Sequence, residues 1–195
     1  MAIRRDVDDP TPESPVQVSN WAELQSAAVE SASSRLTGPR VVTFVDFECP
    51  ACRGFAKTLD SLTILRHDSV LETAYLHFPL SYHPNAQNAA RLFVCAAQHL
   101  DARGRAELAT WLYERSGAVD QGALASLPSL PGLPPLTELE RCSRDSGTDA
   151  RISHHVKLAE AAGLKGTPTV IVDGWRFPGV PSVQALDSAL AASTP

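Results

Sequence analysis

Residues 42–55 read VTFVDFECPACRGF, and this stretch decides the fold. Val41 to Phe47 is β-branched and aromatic, which predicts a buried strand. A helix is predicted to follow from about Pro50 to Leu65, with Phe55, Leu59 and Leu62 turned inward. Pro50 suits the first helical turn, where no N–H is needed. The strand therefore delivers Cys49 to a helix N-terminus. Backbone N–H groups are unpaired there and the helix dipole is positive. That field stabilises a thiolate, lowers the pKa of the cysteine and makes it a better nucleophile at neutral pH. Cys52 lies one turn on, close enough to attack a mixed disulfide formed at Cys49. Asp46 and Glu48 oppose the thiolate by like-charge repulsion, and Arg53 and Lys57 are the candidates to offset them.

Working outward, Val16 to Val18 reads as a short strand. Ser19 and Asn20 cap a helix predicted from Trp21 to about Leu36, stopped by Gly38 and Pro39. Leu71 to Phe78 is the next strand after the cysteine helix. The order helix, strand, helix, strand predicts an α/β fold whose central strands are parallel and joined by a crossover helix. From Asn85 to about Gly163 the pattern becomes helical. Helices are predicted over Asn85–Leu100, Ala102–Arg115, a short stretch with a Thr137/Glu140 capping box, and about Asp149–Ala162, with Gly163 as its C′ glycine. The strand period returns in TPTVIVDG at 167–174, where Asp173-Gly174 predicts a hairpin turn to a strand near Trp175. A closing helix runs from about Ser182 to Ala192.

The chain has 195 residues, an apolar share of 44% and a formal charge of -5. A sizeable core can form, and the charge argues against nucleic acid or an anionic membrane as the main partner. No apolar run approaches the roughly 18 residues of a membrane span. Residues 1–15 are acidic and proline-bearing and read as a mobile tail. Arg4 and Arg5 have no apolar stretch behind them, so the expectation is either a cytosolic protein or a trimmed form of an exported one. Four cysteines, Cys49, Cys52, Cys95 and Cys142, are enough for two pairs and too few for a disulfide-dense miniprotein.

A C-x-x-C can also be half of a zinc site. A second C-x-x-C or H-x-x-H is missing, and the adjacent His154 and His155 point apart on a helix. A four-cysteine site is conceivable but lacks the usual knuckle spacing. Redox chemistry is therefore preferred, with no metal expected.

FVDFECPACRGF, then HFPL at 77–80, then GTPTVIVDG at 166–174, resemble the DsbA-like branch of the thioredoxin superfamily over about residues 16–193. The resemblance implies a thioredoxin-like fold: a central mixed sheet flanked by helices, with a helical insertion at about 85–150 between a βαβ half and a C-terminal ββα half. It implies that Cys49 is the exposed nucleophile and Cys52 the buried resolving thiol. Pro168 would be cis, and the backbone of Thr167 would pair with an extended substrate segment. Pro50 and Ala51 would be the intervening pair. Many relatives hold a buried acidic residue six positions before the first cysteine, where this chain has Thr43; Asp46 is the alternative proton relay. Strongly oxidising DsbA has Pro-His between its cysteines, and Ala51 cannot supply that imidazole, so a less oxidising pair is expected.

In the family, cysteines placed like Cys95 and Cys142 can pair; the alternative is two buried free thiols. The prolines of 127–136 read as a stiff helix–helix connector. His83-Pro84 reads either as the lead into the insertion, placed near the redox site, or as a surface turn, which is preferred, and His67, His77 and His99 have no partner spacing. The function expected is thiol–disulfide exchange with protein cysteines, without a dissociable cofactor. A membrane partner of the DsbB or VKOR type, or a thioredoxin-type reductant, would reset the pair. The alternatives are an isomerase or reductase of the same fold, or a non-catalytic metal-binding or adaptor domain.

Overall fold

A computed structural model describes residues 14–32, 41–66 and 71–192. Most of the tail expected over 1–15 lies outside these residues, as do the predicted first-helix end at Leu36, its stop at Gly38 and Pro39, and His67.

Strand β2 (Val41–Val45) is buried along its whole length and is the centre of the sheet. It is covered on both faces, so it reads as a continuous apolar run rather than an alternating one. β3 (Thr73–His77) pairs with it in parallel, and β4 (Thr169–Val172) pairs antiparallel on its other side. β5 (Trp175–Arg176) and β1 (Val16–Gln17) extend the edge, giving the order β1-β5-β4-β2-β3. The sheet is therefore mixed, as the resemblance implies.

Side chains leaving β2 divide between two layers. Val42 and Phe44 pack with Leu24 and Ala28 of α1 (Trp21–Ala32) and Leu158 of α7 (Ser146–Ala161). Val41 packs with Phe55 and Leu62 of α2 (Pro50–Leu65) and Leu186 of α8 (Val183–Ala192). Val45 and Phe47, at the strand's end, enter a third cluster built mainly on α3 (Ala86–Ala97) and α4 (Ala102–Glu114). The predicted inward positions Phe55, Leu59 and Leu62 are all buried, as are Leu92, Phe93, Leu108, Trp111 and Leu112 of α3 and α4.

Between β3 and β4 the chain is helical, through α3, α4, α5 (Gln121–Leu124), α6 (Leu136–Ser143) and α7. Three local readings are corrected here. The Thr137/Glu140 capping box does not form, because Pro135 takes the N-cap and starts α6 at Leu136 without a side-chain cap. α7 begins at Ser146, earlier than Asp149, because the Asp145 carboxylate accepts the Gly147 N–H at 2.7 Å. The short α5 was not expected; Asp120 starts it by accepting the Ala123 N–H at 2.8 Å. At the other end of α7, Leu164 N–H donates to Ala159 and Gly163 N–H to Glu160, the paired bonds of a Schellman stop. The β4–β5 turn has Asp173 at φ 46° and Gly174 at φ 86°. Trp21 lies against Gly174, at 3.2 Å from where a Cβ would stand.

Cys95 of α3 and Cys142 of α6 form a disulfide, 47 residues apart in sequence. This settles the alternative left open by the sequence. It also removes the four-cysteine metal site, since two of its ligands are bonded to each other. Closing a loop of this length stabilises by about 2–4 kcal/mol. Replacing both cysteines by alanine is expected to lower the unfolding free energy by about that amount in urea titration. In denaturant without reductant, Cys95 and Cys142 are expected to escape thiol labelling; labelling of both would overturn the assignment.

Candidate active site

Cys49 is the N-cap of α2, with φ -70° and ψ 119°, and Pro50 opens the helix. The Cys49 thiol donates to the Thr167 carbonyl at 3.2 Å. The peptide bond joining Thr167 to Pro168 is cis. The β2–β4 register explains the meeting: Thr43 faces Val170 and Phe44 faces Thr169, so the chain leading into β4 runs beside the chain leaving β2.

Cys52 lies deeper in the same apolar cluster that Cys49 borders, with Phe47, Phe93 and Leu112. It is 1% exposed and Cys49 is 7% exposed. The expected order of accessibility holds, but Cys49 is far more covered than an exposed nucleophile, because the Thr167 backbone closes on its sulfur.

The two thiols are not bonded to each other. Their acidities are driven apart. Cys49 is lowered from 9.0 to about 5, first by hydrogen bonding from the Cys52 thiol, against the opposing effect of burial. The Thr167 hydroxyl and the N–H groups of Cys52 and Ala51 add to the lowering. Those N–H groups are the unpaired donors of the first turn of α2. Burial, and then the hydrogen bond to Cys49, push Cys52 strongly up. One sulfur is poised as a thiolate and its neighbour is kept as a thiol.

Asp46 is 2% exposed. Its carboxylate accepts the N–H of Glu48 at 2.8 Å, the N–H of Leu80 at 2.8 Å and a hydrogen bond with His83 Nδ1 at 2.8 Å. Its backbone carbonyl accepts the Cys49 N–H at 3.1 Å. Among the described residues the carboxylate bonds the loop and the turn at 80–83 and makes no hydrogen bond to a cysteine. Thr43, in the place of the relatives' acidic residue, is buried with its hydroxyl unpaired.

The charges beside the cysteines are also rearranged. Glu48 accepts the backbone N–H of Asn85 at 2.5 Å and its amide at 3.2 Å, tying the redox loop to the start of α3. Arg53 does not face the thiols: its Nε and Nη2 donate to the Tyr113 carbonyl at 3.0 and 2.7 Å, at the end of α4. His83, read from sequence as part of a surface turn, is instead bonded to a buried carboxylate next to the redox loop. The Leu80–Asn85 turn and Tyr113 were missed as neighbours of the site; only the His83-Pro84 pair after a strand hinted at them.

Beneath the loop lies an aromatic floor. Phe47 sits 5.1 Å from both Phe93 and Tyr113 and 5.8 Å from His77, between ring centroids. His77 gains an unforeseen partner: its backbone N–H donates to His155 Nδ1 at 3.2 Å. Burial holds His77 well below its ordinary value and His155 down to about 3, so both rings are neutral parts of the core.

Comparison with known proteins fits this geometry. A family model described as Thioredoxin matches residues 37–192. Among solved structures, DsbA2 of Pseudomonas aeruginosa superposes with a TM-score of 0.60 at 22% identity, covering 80% of this chain and 90% of that one. The thiol-disulfide exchange protein α-DsbA2 of Wolbachia pipientis gives 0.66 at 14% identity, covering 90% and 100%. The catalytic domain of Proteus mirabilis ScsC gives 0.60 at 16%, covering 88% and 94%. Among curated sequences, a Na(+)/H(+) antiporter NhaA of Salinispora tropica is 29% identical over 171 residues, which is 85% of this chain. The chain spans only 25% of that relative's length. With its family match extending over most of its length and its fold shared with these structures, the chain belongs to the thioredoxin family and has the fold of the DsbA-like proteins.

Proposed function

We propose that this chain is a thiol–disulfide oxidoreductase acting on cysteine-containing proteins through Cys49 and Cys52. The observation that carries the reading is the split pair: a thiol lowered to about 5 at a helix N-terminus, one turn from a buried thiol pushed far up. A structural or adaptor role needs no such split, whereas exchange needs one sulfur ready to attack and one held back.

In the reducing direction the Cys49 thiolate attacks a substrate disulfide. A Cys49–substrate bond forms, the substrate S–S bond breaks, and the leaving sulfur departs as a thiolate that takes a proton. Cys52 then loses its proton and attacks Cys49, forming the Cys49–Cys52 disulfide and freeing the second substrate thiol. Two electrons pass to the substrate. The oxidising direction is the same sequence reversed. Attack on Cys49 by Cys52 needs no large movement, since Cys52 lies one turn from Cys49 on the same helix. Thr167 and Pro168 provide the backbone edge on which an extended substrate segment docks beside Cys49. A DsbB- or VKOR-type membrane partner or a thioredoxin-type reductant resets the pair. The antiporter activity of the curated relatives is not carried over: the chain covers a quarter of their length, and no described helix is long and apolar enough to cross a membrane.

Cys49→Ser is expected to abolish insulin reduction, and Cys52→Ser to accumulate a mixed disulfide with substrate, seen on non-reducing gels. Full activity of Cys49→Ser would refute the assignment. A thiolate pKa of about 5 falls between roughly 7 for thioredoxin and 3.5 for DsbA. A more stabilised thiolate favours the reduced form, so the potential in glutathione buffer is expected between about -270 and -120 mV. A value at or above the upper limit would contradict the tempering ascribed to Ala51.

The same shift sets a pH dependence. Folding lowers the Cys49 pKa from 9.0 to about 5, so its contribution to the reduced form is complete above the unfolded value and lost as pH falls through about 5. Raised Cys52 opposes this only above its own unfolded value of 9.0. The urea midpoint of the reduced protein is expected to rise between pH 5 and 8 relative to Cys49→Ser. Parallel curves for the two proteins would refute it.

A further inference from the structure

We propose that His83 is the counter-charge of the redox site: held on the buried Asp46 carboxylate, its imidazolium cancels the acidic charge flanking Cys49 and sustains the thiolate. The inference rests on Cys49 being the exchange nucleophile, and it names a positioning residue for that reaction which acts through Asp46.

The argument begins with an imbalance. The loop FECPAC places Asp46 and Glu48 immediately before Cys49. Two carboxylates beside a thiolate favour its protonation. The sequence offers Arg53 and Lys57 as compensation. Arg53, however, spends its Nε and Nη2 on the Tyr113 carbonyl, at the negative end of α4, where the helix dipole already answers its charge. Lys57 is exposed on α2. Glu48 is met by the donors of Asn85, which are dipoles and carry no net charge.

His83 is placed to do what Arg53 does not. Its Nδ1 lies 2.8 Å from Asp46 Oδ2, with side-chain exposures of 18% and 0%. The turn carrying it is fixed by a second bond to the same oxygen, from Leu80 N–H. Its ring also meets Tyr82 edge to face at 4.5 Å. The charged groups acting on it are Asp46, Glu48 and Cys49, and all three favour its protonated form. Around Cys49 stand Cys52, the Thr167 hydroxyl and the N–H groups of Ala51 and Cys52. Tyr113, within electrostatic range of both cysteines and Asp46, is held in its neutral phenol form by burial.

With His83 protonated, the Asp46–His83 dyad has no net charge. Loss of the proton, or of the ring, leaves Asp46 uncompensated within the redox loop. Removing both side-chain charges restores neutrality. That sign pattern separates a counter-charge from a prop: a prop is not repaired by deleting its partner.

Thiolate absorbance near 240 nm in the reduced protein reads the effect directly. His83→Gln is expected to raise the Cys49 midpoint by about one unit, a roughly fivefold loss of thiolate at pH 5. Asp46→Asn combined with His83→Gln is expected to recover most of that loss. A His83→Gln titration superimposable on the parent overturns the proposal, as does a double variant no better than the single. A measurement on the unaltered protein guards against variants that fail to fold. Coupling is reciprocal, so the His83 imidazole, followed by NMR, is expected to titrate at higher pH in the dithiol than in the disulfide form. Equal midpoints overturn the proposal. If Cys49→Ser left insulin reduction intact, the exchange reading would fall while these titrations still reported on the dyad.

Discussion

The redox loop depends on one buried carboxylate. Asp46 stands where β2 ends, and it uses both of its acceptor groups. Its backbone carbonyl takes the Cys49 N–H and its carboxylate takes three further bonds, from Glu48, Leu80 and His83. A carboxylate with no side-chain exposure would cost several kcal/mol if left unpaired, so these partners are obligatory rather than decorative. Because Leu80 and His83 precede α3, the same residue fixes the approach of the helical block to the cysteines. The N-cap geometry of Cys49 is thus set from outside α2, by a residue three positions before it.

Given that loop, the helix does the rest with two opposite effects. Cys49 sits at the mouth of α2, where unpaired N–H groups favour negative charge. Cys52 is a turn further on, where the same helix has entered the apolar cluster of Phe47 and Phe93. Dipole and donors act on one sulfur and desolvation on the other, so a single turn of helix separates two sulfurs of opposite acidity. Thr167, 118 residues away in sequence, completes the arrangement because β4 lies antiparallel to β2.

Periodic features of this structure were legible in the sequence. The apolar run of β2, the inward face of α2 and the Asp173-Gly174 turn each carry a local signal that packing reinforces. The motif pair around Cys49 and Pro168 pointed to the site. What stayed hidden were polar contacts across long separations, which have no period. His83 meets Asp46 across 37 residues, and Arg53 meets Tyr113 across 60. Charge alone suggested that Arg53 would serve the thiolate, and only the placement of α4 shows where its guanidinium goes. Local signals also competed: Thr137 resembled a cap, but Pro135 two residues earlier already had the extended backbone of an N-cap, φ -54° and ψ 146°. The low exposure of Cys49 was invisible for the same reason, since it comes from a strand distant in sequence.

The residues that flank the cysteines give the helical block a specific mechanical relation to them. Glu48, just before Cys49, holds Asn85 at the start of α3; Arg53, just after Cys52, holds the last carbonyls of α4. The cysteine pair is therefore clamped at both ends by the two helices whose side chains also form its apolar floor. α3 is in turn bonded to α6 through Cys95–Cys142. A cross-link on α3 restrains the far end of the helix whose near end is tied to the redox loop. Rigidity matters here because the acidity of Cys49 depends on hydrogen bonds whose strength falls steeply with misalignment. A loosely held loop would let the Cys52 thiol and the first-turn N–H groups drift, and the sulfur would return toward an ordinary thiol. The helical block is thus part of the chemistry: its packing converts two cysteines on a helix into two sulfurs of unequal acidity.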